Sequence, residues 1–112
     1  GKRQDHFLGN LSLLYKAYRL GVDCMLRGDK ENMFLAAGNV SFRTEKKSVV
    51  SILPFFDSVH IMNSKGLKYP LDDLVLFADA SRGISNLATQ AEVSFEVKSG
   101  LALVFTEKWR GK

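Results

Sequence analysis

The chain is poor in the features that announce a chemistry. It holds one cysteine, so no internal disulfide is open to it, and a lone thiol fits a reducing, intracellular setting. No apolar run approaches the roughly 18 residues that cross a bilayer as a helix, and no secretory hydrophobic segment stands out. The glycine patterns whose backbone amides cradle phosphates, G-x-x-x-x-G-K-[ST] and G-x-G-x-x-G, are missing. Only two histidines occur, His6 and His60, and neither stands in a metal-like cluster with cysteine or carboxylates. Cys24 follows Asp23, whose charge does not favour a thiolate, so an inert thiol is expected there. The adjacent carboxylates Asp72 and Asp73 suit a turn or a cap better than acid–base work. No catalytic residue, cofactor or metal is expected, and the chain does not read as an enzyme.

What is present is ordinary in amount. With 112 residues, 46% of them hydrophobic and 25% charged, residues 1–112 are expected to form a single α+β domain. The chain opens on Gly1 rather than methionine, so a fragment of a longer protein is also open. Net charge is +4, which permits weak attraction to polyanions without demanding it.

Residues 5–27 carry the strongest helical pattern. Phe7, Leu8, Leu11, Leu14, Tyr15, Tyr18, Val22, Met25 and Leu26 recur at three- and four-residue steps, which predicts a core-facing stripe centred on Leu11 and Tyr18. Asp5 is the expected N-cap, and Gly28 the residue that closes the helix. A second apolar line, Leu13, Ala17, Leu20 and Cys24, runs along another face of the same helix. Either a segment of the same chain covers it, or it pairs with a second copy or another protein.

From residue 39 the period changes to two. Val40 and Phe42 alternate with polar neighbours, residues 44–47 form a polar turn, and residues 48–53 read as a returning strand that Pro54 ends or edges. Residues 58–63 form a further strand before the Ser64-Lys65-Gly66 turn. Residues 71–80 are ambiguous, with a lean to strand over 74–78, and a short helix or turn is expected near 84–90. Val93, Phe95 and Val97 alternate, Lys98-Ser99-Gly100 reads as a hairpin turn, and 101–106 returns. Leu101, Leu103 and Phe105 fall on one face with Ala102 and Val104 on the other, so that strand should be covered on both sides.

These readings converge on one long N-terminal helix packed on a mainly antiparallel sheet of hairpins. The function expected is a non-enzymatic interaction or assembly domain, a homo-oligomer or dimer in particular, meeting its partner through Leu13, Ala17, Leu20 and Cys24. The alternative is a nucleic-acid-binding domain. Its contacts would be Arg43, Lys46 and Lys47 at one turn and the tail residues Lys108, Trp109 and Arg110.

Overall fold

The computed structural model describes residues 2–79, 83 and 85–107. Among the described residues one helix, α1 (Lys2–Arg19), is followed by six strands: β1 (Met25–Arg27), β2 (Glu31–Arg43), β3 (Val49–Lys65), β4 (Leu74–Phe77), β5 (Asn86–Leu87) and β6 (Glu92–Glu107). Every named pairing is antiparallel, the order is β1-β2-β6-β3-β4, and β5 adds to β3.

The three long strands have 13, 17 and 16 residues, well beyond the usual five or six. All three bend at one level. The β2/β6 register slips between Ala36 and Gly38, and the β3/β6 register slips between Pro54 and Val59. Gly38 (φ 69°) and Gly100 (φ 85°) supply the left-handed backbone this bend needs. A Cβ at Gly100 would run into the Ser58 carbonyl oxygen, so glycine there also lets β3 come close.

The bend folds the sheet over its own inner face, as in a β-sandwich. One cluster joins Val50, Ile52, Ala102 and Val104 from the first half to Val59, Ile61, Val93, Phe95 and Val97 from the second, with Leu76 of β4. The first half has a second buried face, where Met33 and Leu103 meet Leu14 of α1. Residues 101–104 are therefore buried on both sides, as their apolar alternation requires.

Several expectations are corrected. The domain is organised by the sheet and not by a long helix. Of the helix side chains described, Leu14 alone is fully buried, and Tyr18, expected at the centre of the core stripe, is 46% exposed. The helix begins at Lys2, which places Asp5 in the first turn, and it ends well before residue 27. Its stop is a Schellman motif on Gly21 (φ 75°). The Gly21 amide donates to the Tyr18 carbonyl and the Val22 amide to the Ala17 carbonyl. Periodicity carried past Gly21 because Val22, Met25 and Leu26 happen to keep helical spacing, yet Met25–Arg27 is a strand on the edge of β2.

Neither expected hairpin exists. β6 lies between β2 and β3, which therefore do not pair with each other, and Lys98-Ser99-Gly100 is the bend inside a continuous β6. Pro54 stays within β3, at the register slip where a missing amide is tolerated. The strand at 74–77 forms as expected. Where a short helix was expected, Asn86–Leu87 is a strand paired to Val49 and Val50, and Ile84 lies outside the described residues.

Candidate functional site

The most heavily tied polar structure lies where the chain leaves β3, turns through residues 66–73 into β4, and comes back through 83–88. Gly66 (φ 86°) starts the loop, and a Cβ there would meet the Glu92 carbonyl oxygen. Leu67 and Leu71 are buried and anchor the loop in the core. Tyr69 stands between them with its ring 55% exposed.

Asn86 explains how an exposed ring is held. It is 2% exposed, and its side chain reads the Tyr69 backbone from both sides. Oδ1 accepts the Tyr69 amide at 3.1 Å, and Nδ2 donates to the Tyr69 carbonyl at 2.8 Å. Oδ1 also accepts the Leu87 amide at 2.9 Å. The Lys68 amide donates to the Leu87 carbonyl and the Thr89 amide to the Gly66 carbonyl, which makes an isolated antiparallel bridge between Leu67 and Ala88 next to β5. A buried asparagine is costly unless its amide is satisfied, and here the cost is met by fixing one residue's main chain.

The return of the loop is tied to β3. The Ser64 hydroxyl accepts the Leu71 amide at 2.8 Å, and the Asp72 carboxylate accepts the Ser64 amide at 2.6 Å. His60 Nε2 donates to Asp73 Oδ1 at 2.8 Å. On the far side Gly83 is buried against β3, its carbonyl accepting the Ile52 amide, and the Ser85 amide donates to the Ser51 hydroxyl at 2.9 Å. Asn63, Asp73 and Ser85 all have left-handed backbone, with φ of 54°, 51° and 61°. Such strain persists where the surroundings over-determine a conformation, as they do at ligand clamps.

Chemically, the arrangement offers a shelf. Lys68 Nζ sits 5.4 Å from the Tyr69 ring centroid, so the ring presents its π-face to a cation. A flat ring that displaces the Lys68 ammonium can stack on the same face, and the exposed Ser85 adjoins Asn86 in the chain. Among the described residues no group of three or more His, Cys, Asp or Glu could hold a metal ion.

The structure does not assemble the sites expected from sequence. Leu13 is 58% exposed on α1, Ala17 is half-buried, and Leu20 (68% exposed) and Cys24, packed near Leu14, both lie beyond the helix. The four do not form one stripe, because the helix ends at Arg19, before both Leu20 and Cys24. Arg43, Lys46 and Lys47 are exposed around one turn, but Arg43 faces Glu92 across the β2/β6 register and Glu45 shares the turn. Lys108, Trp109 and Arg110 lie outside the described residues. A hollow of about 710 Å³ beside the helix end, lined by Leu14, Tyr18, Val22, Cys24 and Phe34, is distant from the tied loop and has no comparable polar framework.

Tyr69, Ser85 and Asn86 went unread in the sequence. The available signal was Asn86 itself, an amide set beside the apolar pair Leu87-Ala88, together with the Gly66 and Pro70 that bracket Tyr69.

Comparison with known proteins bears on this region. The family model described as thiamin pyrophosphokinase, vitamin B1 binding domain, matches residues 38–102, which include the whole loop and its clamp. The thiamine pyrophosphokinase of Bacillus subtilis is 32% identical over 107 residues, covering 93% of this chain and 50% of that protein. The crystal structure of the Bacillus subtilis enzyme superposes with a TM-score of 0.83 at 25% identity, again over 93% of this chain and 50% of the other. The Candida albicans enzyme shares the fold, with a TM-score of 0.80 at 18% identity over 96% of this chain and 41% of that one. The chain thus spans about half the length of the curated relative it matches.

Proposed function

This chain belongs to the family of the thiamin pyrophosphokinase vitamin B1 binding domain, and from that premise we propose that it binds thiamin on the Tyr69 shelf. The reading of a non-enzymatic assembly module, with its nucleic-acid alternative, is withdrawn, because the family is that of an enzyme's substrate-binding part. The helix stripe that motivated the assembly reading does not survive the helix stop at Gly21.

The observation that carries the proposal is the Asn86 clamp. It fixes the main chain of a residue with an exposed aromatic ring, inside the matched residues 38–102. Thiamin is a flat aminopyrimidine joined to a cationic thiazolium that carries a hydroxyethyl arm. A π-face answers both the flat ring and the cation, and a pre-ordered ring loses little freedom when it is covered. The name thiamine pyrophosphokinase denotes transfer of pyrophosphate to thiamin, whose one hydroxyl is on that arm. Stacking the ring system leaves that arm projecting, so the role proposed for this chain is to bind and orient the acceptor.

No helix among the described residues is long and apolar enough to cross a membrane. Self-association and an intracellular location are also proposed. The first is tested by sedimentation of this chain, and the second rests on its single thiol.

Titration of the chain with thiamin, followed by calorimetry or by tyrosine fluorescence, tests the proposal. Tyr69→Ala should weaken binding by about 10- to 100-fold, the usual worth of one stacked ring. Unchanged affinity in that variant would overturn the shelf.

A further inference from the structure

We propose that His60 and Asp73 form a positioning pair for the Tyr69 shelf, so that thiamin affinity depends on two residues set apart from the stacking face. The inference rests on the reading of Tyr69 as the thiamin platform and goes on to ask what keeps that platform in place.

The loop has two holds. Asn86 grips it at Tyr69, and the second hold lies four residues on, where the chain must enter β4. There Asp73 takes a left-handed backbone (φ 51°), which aspartate tolerates better than most residues but not without cost. Its carboxylate oxygen meets His60 Nε2 at 2.8 Å. His60 is fixed on its side, since β3 pairs it with Val75 of β4 and with Ser99 of β6. Its side chain is 21% exposed, against 78% for Asp73. A seated imidazole thus reaches out to a carboxylate on the exposed side of the joint. The neighbouring Asp72–Ser64 bonds fasten the loop to the same strand, so the segment between Tyr69 and β4 hangs on two β3 side chains.

Exposure of Asp73 sets the size of the effect. A contact in that setting, a hydrogen bond whether or not the imidazole is charged, is weak, so overall stability should barely change while the local hold on the loop does. His60→Ala and Asp73→Ala should each weaken thiamin binding by about twofold to fivefold. The double variant should lose no more than either single variant, since one contact is removed in all three. His60→Gln should retain most of the affinity, because its amide can still donate to Asp73. Amide hydrogen exchange without ligand gives an independent readout: the Leu71 and Tyr69 amides should exchange faster in His60→Ala than in the parent chain.

Three results would overturn the pair: single variants that bind as the parent chain does, losses that add in the double variant, or loop exchange that does not change. Each leaves the Tyr69 platform standing, provided Tyr69→Ala still loses affinity. If Tyr69→Ala binds normally, the platform falls and the pair falls with it.

Discussion

Two polar loops leave this sheet, and they are built on opposite plans. The turn at residues 44–48 carries Glu45, Lys46 and Lys47 on its surface and is fastened by main-chain bonds, from the Thr44 amide to the Ala91 carbonyl and from the Lys47 amide to the Ala88 carbonyl. The loop at residues 66–73 carries one lysine, yet Asn86, Ser64, Asp72 and His60 all spend side-chain hydrogen bonds on it. Exposed charge is cheap to place, because water solvates it wherever the backbone leaves it. A buried amide is not cheap, and its partners show what it is for. The second loop is therefore the one whose geometry side chains impose.

That contrast can be broken or sharpened by substitution. Asn86→Leu should have the largest effect, because it strips partners from the Tyr69 amide, the Tyr69 carbonyl and the Leu87 amide together. A loss of about 3 kcal/mol is expected in urea unfolding, with thiamin binding lost as well. A midpoint like that of the parent chain would mean the clamp is incidental.

Gly66→Ala comes next. The left-handed backbone and the Glu92 carbonyl oxygen both oppose a Cβ, so a cost of about 2 kcal/mol is expected in the same measurement. Tyr69→Ala should change stability by less than about 1 kcal/mol, since its ring is largely in water already, and its effect should appear in binding instead. Smallest of all is Lys46→Ala with Lys47→Ala, expected within about 0.5 kcal/mol of the parent chain and without effect on thiamin. If the lysine pair alters thiamin binding more than Tyr69→Ala does, the two loops have been assigned the wrong way round.

Much of the strand content could be read from alternation. Val40 and Phe42, Val93 to Val97, and the two-faced run 101–106 all sit in strands, as does 74–77. What alternation does not carry is partnership. Nothing near Lys98-Ser99-Gly100 distinguishes a hairpin turn from a bend, because glycine serves both and the decision rests with Ser58 on another strand. The helix was legible but its end was not. Gly28 was the expected close, but Gly21 ends the helix by closing two hydrogen bonds at once. The site was the least legible part. Asn86 acts through Tyr69, seventeen residues earlier, and such a pairing has no local spacing to betray it. The basic cluster at 43–47 drew notice because charge is visible in one dimension, whereas a clamp exists only in three.

The place of β6 has a consequence for how the domain comes into being. It is the last strand in the chain among the described residues, and it occupies the middle of the sheet, paired to β2 on one edge and β3 on the other. A polypeptide synthesised from its N-terminus therefore makes two strands of 13 and 17 residues before the one that joins them. Those edges stay open in the interval, a state that favours pairing with the wrong neighbour, and closure of such long-range contacts is slow. Helix α1 can form early but has no finished surface to rest on, since Leu103 and Phe105, which its Leu14 and Phe7 meet, arrive with β6. The nascent chain thus waits on residues 92–107, and its completion is timed by them.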